Sequence, residues 1–334
     1  MLFCFNPASI FYSSMYSESL YALFTLGGVY HLVSGANNIA VVWFALSGCA
    51  RSNGVLNAGY FCFQTMHQTY DAVFLKRRAF LAAQVLVIGA LRCLFTFLPF
   101  IAFQAYGYYN MCLGRSLEEM RPWCKAKVPL LYNYIQSHYW GVGFLRYFQA
   151  KQLPNFLLAS PILSLSLCSL IHYVRSQPES FLLLGLQAYD GKDGSVASFS
   201  SLDGVRGSNS ALLKEKSSTK MRENQSLRQR KQTIEGDDCA VLSEENVSLE
   251  EPGYLSSFIV PCTLHLAFMA ATAFFVMHVQ VATRFLSTSP PLYWFASYLM
   301  VCPGSNRWGY VIWAYSAAYI LLGSLLFSNF YPFT

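Results

Sequence analysis

The stretch Lys76-Arg-Arg-Ala-Phe-Leu-Ala-Ala-Gln-Val-Leu-Val-Ile-Gly-Ala-Leu-Arg-Cys-Leu-Phe-Thr-Phe-Leu-Pro-Phe-Ile-Ala-Phe-Gln-Ala-Tyr106 decides the fold class. Behind three basic residues, the run Ala79–Tyr106 carries one charge, Arg92. It exceeds the roughly 20 mainly apolar residues that a helix needs to cross hydrocarbon. It lacks the strict alternation of a barrel strand, so it predicts a membrane-spanning helix. Working outward, Pro154–Val174, Ser257–Thr283 and Trp308–Phe327 predict three more long spans. Shorter apolar runs lie at Leu2–Tyr12, Leu20–Ser34, Ile39–Cys49, Val55–Met66 and Leu292–Val301. Leu2–Tyr12 is too short to span alone and reads as the end of a helix. Asn6-Pro7, Gly35-Ala-Asn-Asn38, Ser52-Asn-Gly54, Pro290-Pro291 and Pro303-Gly304 mark turns. The expected fold is an all-α polytopic membrane protein with about seven to eight transmembrane helices.

Composition supports this. Hydrophobic residues make up 54% of the chain and charged residues 12%, about half the charge of a soluble domain. Of 17 acidic residues, 13 fall between Glu179 and Glu251, which leaves Glu18, Asp71, Glu118 and Glu119 for the rest. Such a surface suits hydrocarbon better than water. The net charge of +6 arises from missing acids rather than from a basic face with interleaved aromatics, so nucleic acid is not an expected partner.

Residues 175–254 are rich in Ser, Gly, Lys, Glu and Gln and too poor in apolar residues to offset ordering entropy, so a long disordered loop is expected there. Within it, Arg206–Lys231 holds eight basic residues against two acids. The expected organisation is a membrane domain over 1–174, the charged loop 175–254, and C-terminal spans over 255–334. Lys76-Arg77-Arg78 predicts a cytosolic end. Counting spans from it puts 107–152 in the lumen, 175–254 in the cytosol, and Ser14–Ser19, Arg51–Gly54, Arg284–Pro291 and Phe330–Thr334 in the lumen. The sequons at Asn224 and Asn246 would then go unused. Cys112 and Cys124 share one loop and could form a disulfide if it is lumenal, or could be small packing residues like the other cysteines.

The polar residues that need explaining collect on the expected lumenal side. Glu18 and Arg51 each sit among apolar neighbours, where an unpaired charge is costly. Either Arg51 holds a lipid phosphate, or Glu18 and Arg51 form a structural pair, or Arg51 snorkels to the interface. His278, Gln280 and Arg284 close the run Ser257–Thr283. On one helix His278 falls on a different but overlapping face, while Gln280 and Arg284 share a face at i and i+4 and could line a sugar or phosphate pocket or simply belong to an interfacial belt. Tyr132-Asn-Tyr-Ile-Gln136-Ser-His-Tyr-Trp140, followed by Phe144–Phe148, reads as an interfacial amphipathic helix that is a lid or an anchor. No phosphate-binding glycine loop, HExxH or GxSxG is present, and no His/acid cluster has metal-ligand spacing, so neither metal nor cofactor is expected. Paired broken helices in two similar halves, which a transporter would need, are lacking.

Several blocks resemble the GPI mannosyltransferase 2 (PIG-V) family, in a plant-like version. They are residues 5–24 (Phe-Asn-Pro-Ala-Ser-Ile-Phe-Tyr-Ser-Ser-Met-Tyr-Ser-Glu-Ser-Leu-Tyr-Ala-Leu-Phe), Arg51-Ser-Asn-Gly54, Arg121-Pro-Trp-Cys124, Tyr132–Gln136, Tyr139–Tyr147, Gln152–Ala159 and Asn329–Thr334. The resemblance implies a GT-C-like, multi-pass enzyme of the endoplasmic reticulum membrane. It would transfer the second mannose, in α-1,6 linkage, from dolichyl-phosphate mannose to the GPI-anchor precursor in the lumen. It further implies contact with membrane lipid and a possible small membrane subunit. A carboxylate base would act on the acceptor hydroxyl while the lipid phosphate leaves. The family's acidic motif follows its first span, a region that precedes Phe5, so the chain is expected to lack it. Glu18 is the candidate base offered in its place, with Arg51, Gln136, His278, Gln280 and Arg284 as candidate substrate-binding residues. The alternative is a non-catalytic subunit or inactive short form that binds lipid or partners.

Overall fold

The computed structural model describes residues 1–114, 120–186, 259–301 and 306–329. Every regular element among them is helical. The first half runs through α1 (Ser9–Ser13), α2 (Glu18–Val33), α3 (Asn37–Ala50), a 3-10 segment (Ser52–Asn57), α4 (Ala58–Tyr70) and α5 (Ala79–Met111). A connecting region carries α6 (Leu131–Tyr134), which continues as a π turn over Ile135–Tyr139. Then come α7 (Leu153–Ser176), α8 (Pro178–Leu182), α9 (Val260–Phe275), α10 (Ala282–Leu286), α11 (Pro290–Val301) and α12 (Asn306–Ser328).

Among the described residues, three helices are long and apolar enough to cross a membrane: α5, α7 together with the 3-10 turn before it, and α12 from Arg307 onward. The outer face of α5 shows what such a helix needs. Leu86, Val87, Leu94, Phe95 and Leu98 are each more than half exposed, as side chains against lipid would be. Its inner stripe is made of small residues at a seven-residue spacing, Ala82, Gly89 and Thr96, all buried. A Cβ on Gly89 would lie 2.1 Å from the Thr65 hydroxyl, so glycine is what lets α4 and α5 touch. Close approach of this kind substitutes for water exclusion as the source of cohesion in lipid.

α2 and α3 form an antiparallel pair, turned at Gly35, whose φ is +75°. One core gathers Leu32, Ala40, Phe44, Tyr60 and Phe61 from α2, α3 and α4 with Cys262 from α9. A second gathers Ala159, Ile162, Leu266, Met269, Leu286 and Leu292 from α7, α9, α10 and α11. The two ends of the bundle differ. At one end Ser52 donates to the Tyr132 hydroxyl (2.9 Å), and the Tyr132 N–H donates to Gln104 (3.1 Å). At the other, His67 pairs with the Leu184 carbonyl (2.7 Å), close to Lys76-Arg77-Arg78.

Three expectations are corrected. The run Ser257–Thr283 is not one helix: α9 stops at Phe275, His278 is extended (φ −69°, ψ 116°), and the chain restarts as a 3-10 turn over Val279–Val281. The cause is tertiary, because the last carbonyls of α9 accept from a distant loop: Leu145 N–H reaches Phe275 O (2.7 Å) and Gly143 N–H reaches Val276 O (3.2 Å). The expected amphipathic helix ends at Tyr139; Gly141 and Leu145 take positive φ (63° and 56°), and 144–147 is a turn. Of Leu2–Tyr12 only 9–12, the start of α1, is helical, since Asn6 makes a turn of its own, with its side-chain oxygen accepting from Ala8 N–H (2.8 Å). Most of the loop 175–254, with Asn224 and Asn246, lies outside the described residues, as do Glu118, Glu119, Pro303-Gly304 and Phe330–Thr334.

Candidate functional site

Glu18 is the first residue of α2, where the helix N-terminus favours a carboxylate. It is 1% exposed. Arg51 caps the far end of α3 in an extended conformation and bonds Glu18 Oε1 through a guanidinium nitrogen. Arg284, from α10, lies 3.7 Å from the same oxygen. One carboxylate thus faces two guanidinium groups, and the cluster carries one uncompensated positive charge. The two arginine side chains are 22% and 25% exposed, against 2% for the glutamate. Glu18 forms the floor and the arginines form the rim.

The backbone that aims Arg51 is tightly tied. Asn57, wholly buried, donates to Ser47 (2.8 Å) on α3 and to Thr25 (3.2 Å) on α2. Gly54 brings the 3-10 segment so close to α3 that a Cβ there would stand 2.4 Å from backbone atoms of Ser47 and Gly48. Arg284 is set by the helix-breaking turn at His278 and by a buried run, Ser287-Thr288-Ser289, beyond it. Ser287 donates to the Arg284 carbonyl (2.7 Å) and pairs with the Tyr12 hydroxyl (2.8 Å). The Arg284 guanidinium stacks 5.1 Å from the Phe11 ring. Burial pushes its pKa below the usual arginine value, and Glu18 opposes that shift. Glu18 Oε2, Arg284 Nε, Ser14 Oγ and Asn53 Nδ2 are buried without a hydrogen-bond partner in the protein.

The break at His278 divides the trio expected from the sequence. Arg284 joins Glu18, while His278 and Gln280 join a neutral cluster around Tyr147. The Tyr147 ring stacks on His278 (4.6 Å between centroids, 25°). Its hydroxyl donates to Gln280 (3.3 Å) and accepts from Asn155 (2.8 Å), which also donates to Gln152 (2.8 Å). Burial pushes the Tyr147 phenol up, opposed by the bond from Asn155. Gln136 is half-buried in the π turn, its backbone carbonyl accepting from Val142 N–H (2.9 Å). No described contact links it to Glu18. Cys112 and Cys124 are joined by a disulfide, with Cα atoms 5.6 Å apart. The sequence hinted at Arg51 with Glu18, but not at Arg284 as their third member. Tyr147 and Asn155 were visible only as parts of longer motifs. Among the described residues no group of three His, Cys, Asp or Glu side chains converges as metal ligands would.

The sequence matches the protein family described as Mannosyltransferase (PIG-V) over residues 1–334. It is similar to human GPI alpha-1,6-mannosyltransferase 2, with 31% identity covering 90% of this chain and 55% of that protein. GPI mannosyltransferase 2 of Drosophila pseudoobscura is 27% identical across 100% of this chain and 66% of its own length. The Aspergillus oryzae protein of that name is 34% identical across 48% of this chain and 39% of its own length. The chain spans about half the length of the mammalian relatives it matches. No solved structure matches.

Proposed function

This chain belongs to the mannosyltransferase (PIG-V) family, and on that premise we propose that it binds the phosphate of a lipid-linked mannose donor in an α-1,6-mannosyl transfer to a GPI precursor. The donor is dolichyl-phosphate mannose, and the sugar added is the second mannose of the anchor. The observation that carries this reading is the pair of guanidinium groups, Arg51 and Arg284, held side by side over one carboxylate with a positive charge to spare. Arginine presents a planar fork of donors that matches phosphate, and charge-assisted bonds are the strong ones. As the bond from mannose to the lipid phosphate breaks, negative charge develops on the phosphate oxygens. Donors already aimed at that position stabilise it without reorganising. The unpartnered Arg284 Nε supports this, since it is a donor with no protein acceptor.

Glu18 is best read as a positioning residue. A general base must reach the acceptor hydroxyl, whereas Glu18 is buried and occupied by two cations. The site lies at the bundle end opposite Lys76-Arg77-Arg78, which supports a lumenal face and multi-pass residence in the endoplasmic reticulum membrane. The shorter helices α2, α3, α4, α9 and α11 complete a GT-C-like bundle of about seven to eight spans. Its two membrane parts are joined on the cytosolic side, through residues 175–254.

A second reading is favoured by the same ion pairing. With Glu18 buried beneath the two arginines, the described part of this end offers no exposed carboxylate, and the chain would bind the lipid without transferring sugar. Expression in cells lacking GPI mannosyltransferase 2 separates the two, with surface GPI-anchored protein as the readout. Restored display is expected. A stable, membrane-inserted chain that restores none would sink the transferase reading in favour of the binding one.

A further inference from the structure

The neutral cluster around Tyr147 has a construction that loop fastening alone does not require. The turn Gly143–Phe148 is already clamped to the end of α9 by two backbone bonds, from Gly143 and Leu145. It includes a strained position, Leu145, where φ is +56°. A bulky L-residue adopts the left-handed region only when its surroundings over-determine it, and such strain gathers where a side chain must be aimed. The side chain aimed here is Tyr147. Its hydroxyl is fixed in both senses, accepting from Asn155 and donating to Gln280. Asn155 spends its remaining amide hydrogen on Gln152. The polarity of the whole chain is therefore set: Gln152 carbonyl, Asn155 amide, Tyr147 hydroxyl, Gln280 carbonyl.

What is left over defines the ligand. The Gln280 and Gln152 amide N–H groups and the Asn155 carbonyl have no described protein partner. All of these residues are half-buried, so their free groups reach the surface. Amides offer a donor and an acceptor at fixed separation, which suits adjacent hydroxyls. The stacked Tyr147 and His278 rings supply a flat apolar wall beside them. The cluster itself contains no acid, lysine or arginine, so an anion gains little there. Gln280 precedes Arg284 by four residues, which limits their Cα separation to about 14 Å.

We infer that Tyr147, Asn155 and Gln280, walled by His278, form a subsite for a neutral hexose ring beside the phosphate-binding arginines. This deepens the proposed function, on which it rests for the identity of the sugar: it is the mannose end of the acceptor glycan. These residues position the acceptor and do not touch the bond being broken.

The test is ligand-observed saturation-transfer NMR on the full chain in detergent, with methyl α-mannoside as the probe. A saturable signal is expected. Gln280→Ala should weaken it roughly fivefold, the effect of losing one ordinary hydrogen bond. Tyr147→Phe keeps the stack but breaks the relay, and should weaken it by a smaller factor. If Gln280→Ala does not fold, Asn155→Ser serves in its place. Absence of a saturable signal, or an unchanged affinity in a folded Gln280→Ala protein, would overturn the subsite. In the transfer reaction the same variants should raise the acceptor KM and leave the donor KM alone; a fall in kcat without a change in acceptor KM would also overturn it. A chain that binds the probe but restores no surface GPI-anchored protein would overturn the transferase reading and leave the subsite standing.

Discussion

Glu18 is where burial and charge meet most sharply. A carboxylate 1% exposed between two partly exposed arginines is tolerable only because it is over-matched. Removing its charge leaves two guanidinium groups uncompensated in a poorly hydrated place. Glu18→Gln keeps the size and should destabilise the folded chain by about 3 kcal/mol, the lower end for a broken buried pair because the arginines keep some solvent. Reversible unfolding in mixed micelles would measure it. The double variant Glu18→Gln/Arg51→Gln should lose clearly less than the sum of the single losses, since it also removes a stranded cation. Simple additivity would argue against the ion pair. A lone acid and a lone arginine among apolar residues suggested this pairing from the sequence. Arg284 gave no such signal, because its approach to Glu18 depends on a turn fixed by residues more than a hundred positions away.

Elements show the same division between local and distant causes. α5 is legible from its own residues, since a long apolar run with small residues on one stripe has few alternatives. The end of α9 is not. Val276–Val281 continues an apolar, helix-compatible pattern, and only the N–H groups of Gly143 and Leu145 explain why it stops. The 3-10 segment that carries Arg51 into place depends on Gly54. Gly54→Ala would press a methyl group into the backbone of α3, which cannot retreat as a flexible side chain could. A loss of about 1–3 kcal/mol, the usual cost of overpacking, is expected, together with weakened lipid-phosphate binding. Gly59→Ala is the control, since nothing lies within 4 Å of a Cβ there. It should stay within about 0.5 kcal/mol of the parent. Equal effects from the two substitutions in thermal unfolding would contradict this reading of the close approach.

At the scale of the molecule, the bundle is sided: Glu18, Arg51, Tyr132, Tyr147 and Arg284 gather at one end, and Lys76-Arg77-Arg78 marks the other. Charge alone foreshadowed this grouping, and the contacts Ser52–Tyr132 and His67–Leu184 agree with it. Glycosylation mapping tests the sidedness. Lys125→Asn with Lys127→Ser creates a sequon in the exposed loop near the disulfide and should be glycosylated, while Asn224 and Asn246 stay bare; the reverse pattern would invert the topology. The sequence could not foretell that His278 and Gln280 would part company with Arg284, giving one neutral cluster around Tyr147 and one cationic cluster around Glu18. The most direct measurement for the cationic site is the affinity of the purified chain for dolichyl phosphate, with Arg51→Gln and Arg284→Gln compared to the parent. Each substitution should weaken binding about 10- to 100-fold, the effect of losing a hydrogen bond to a charged group. Parent-like affinity in both folded variants would contradict the assignment of this site to the lipid phosphate.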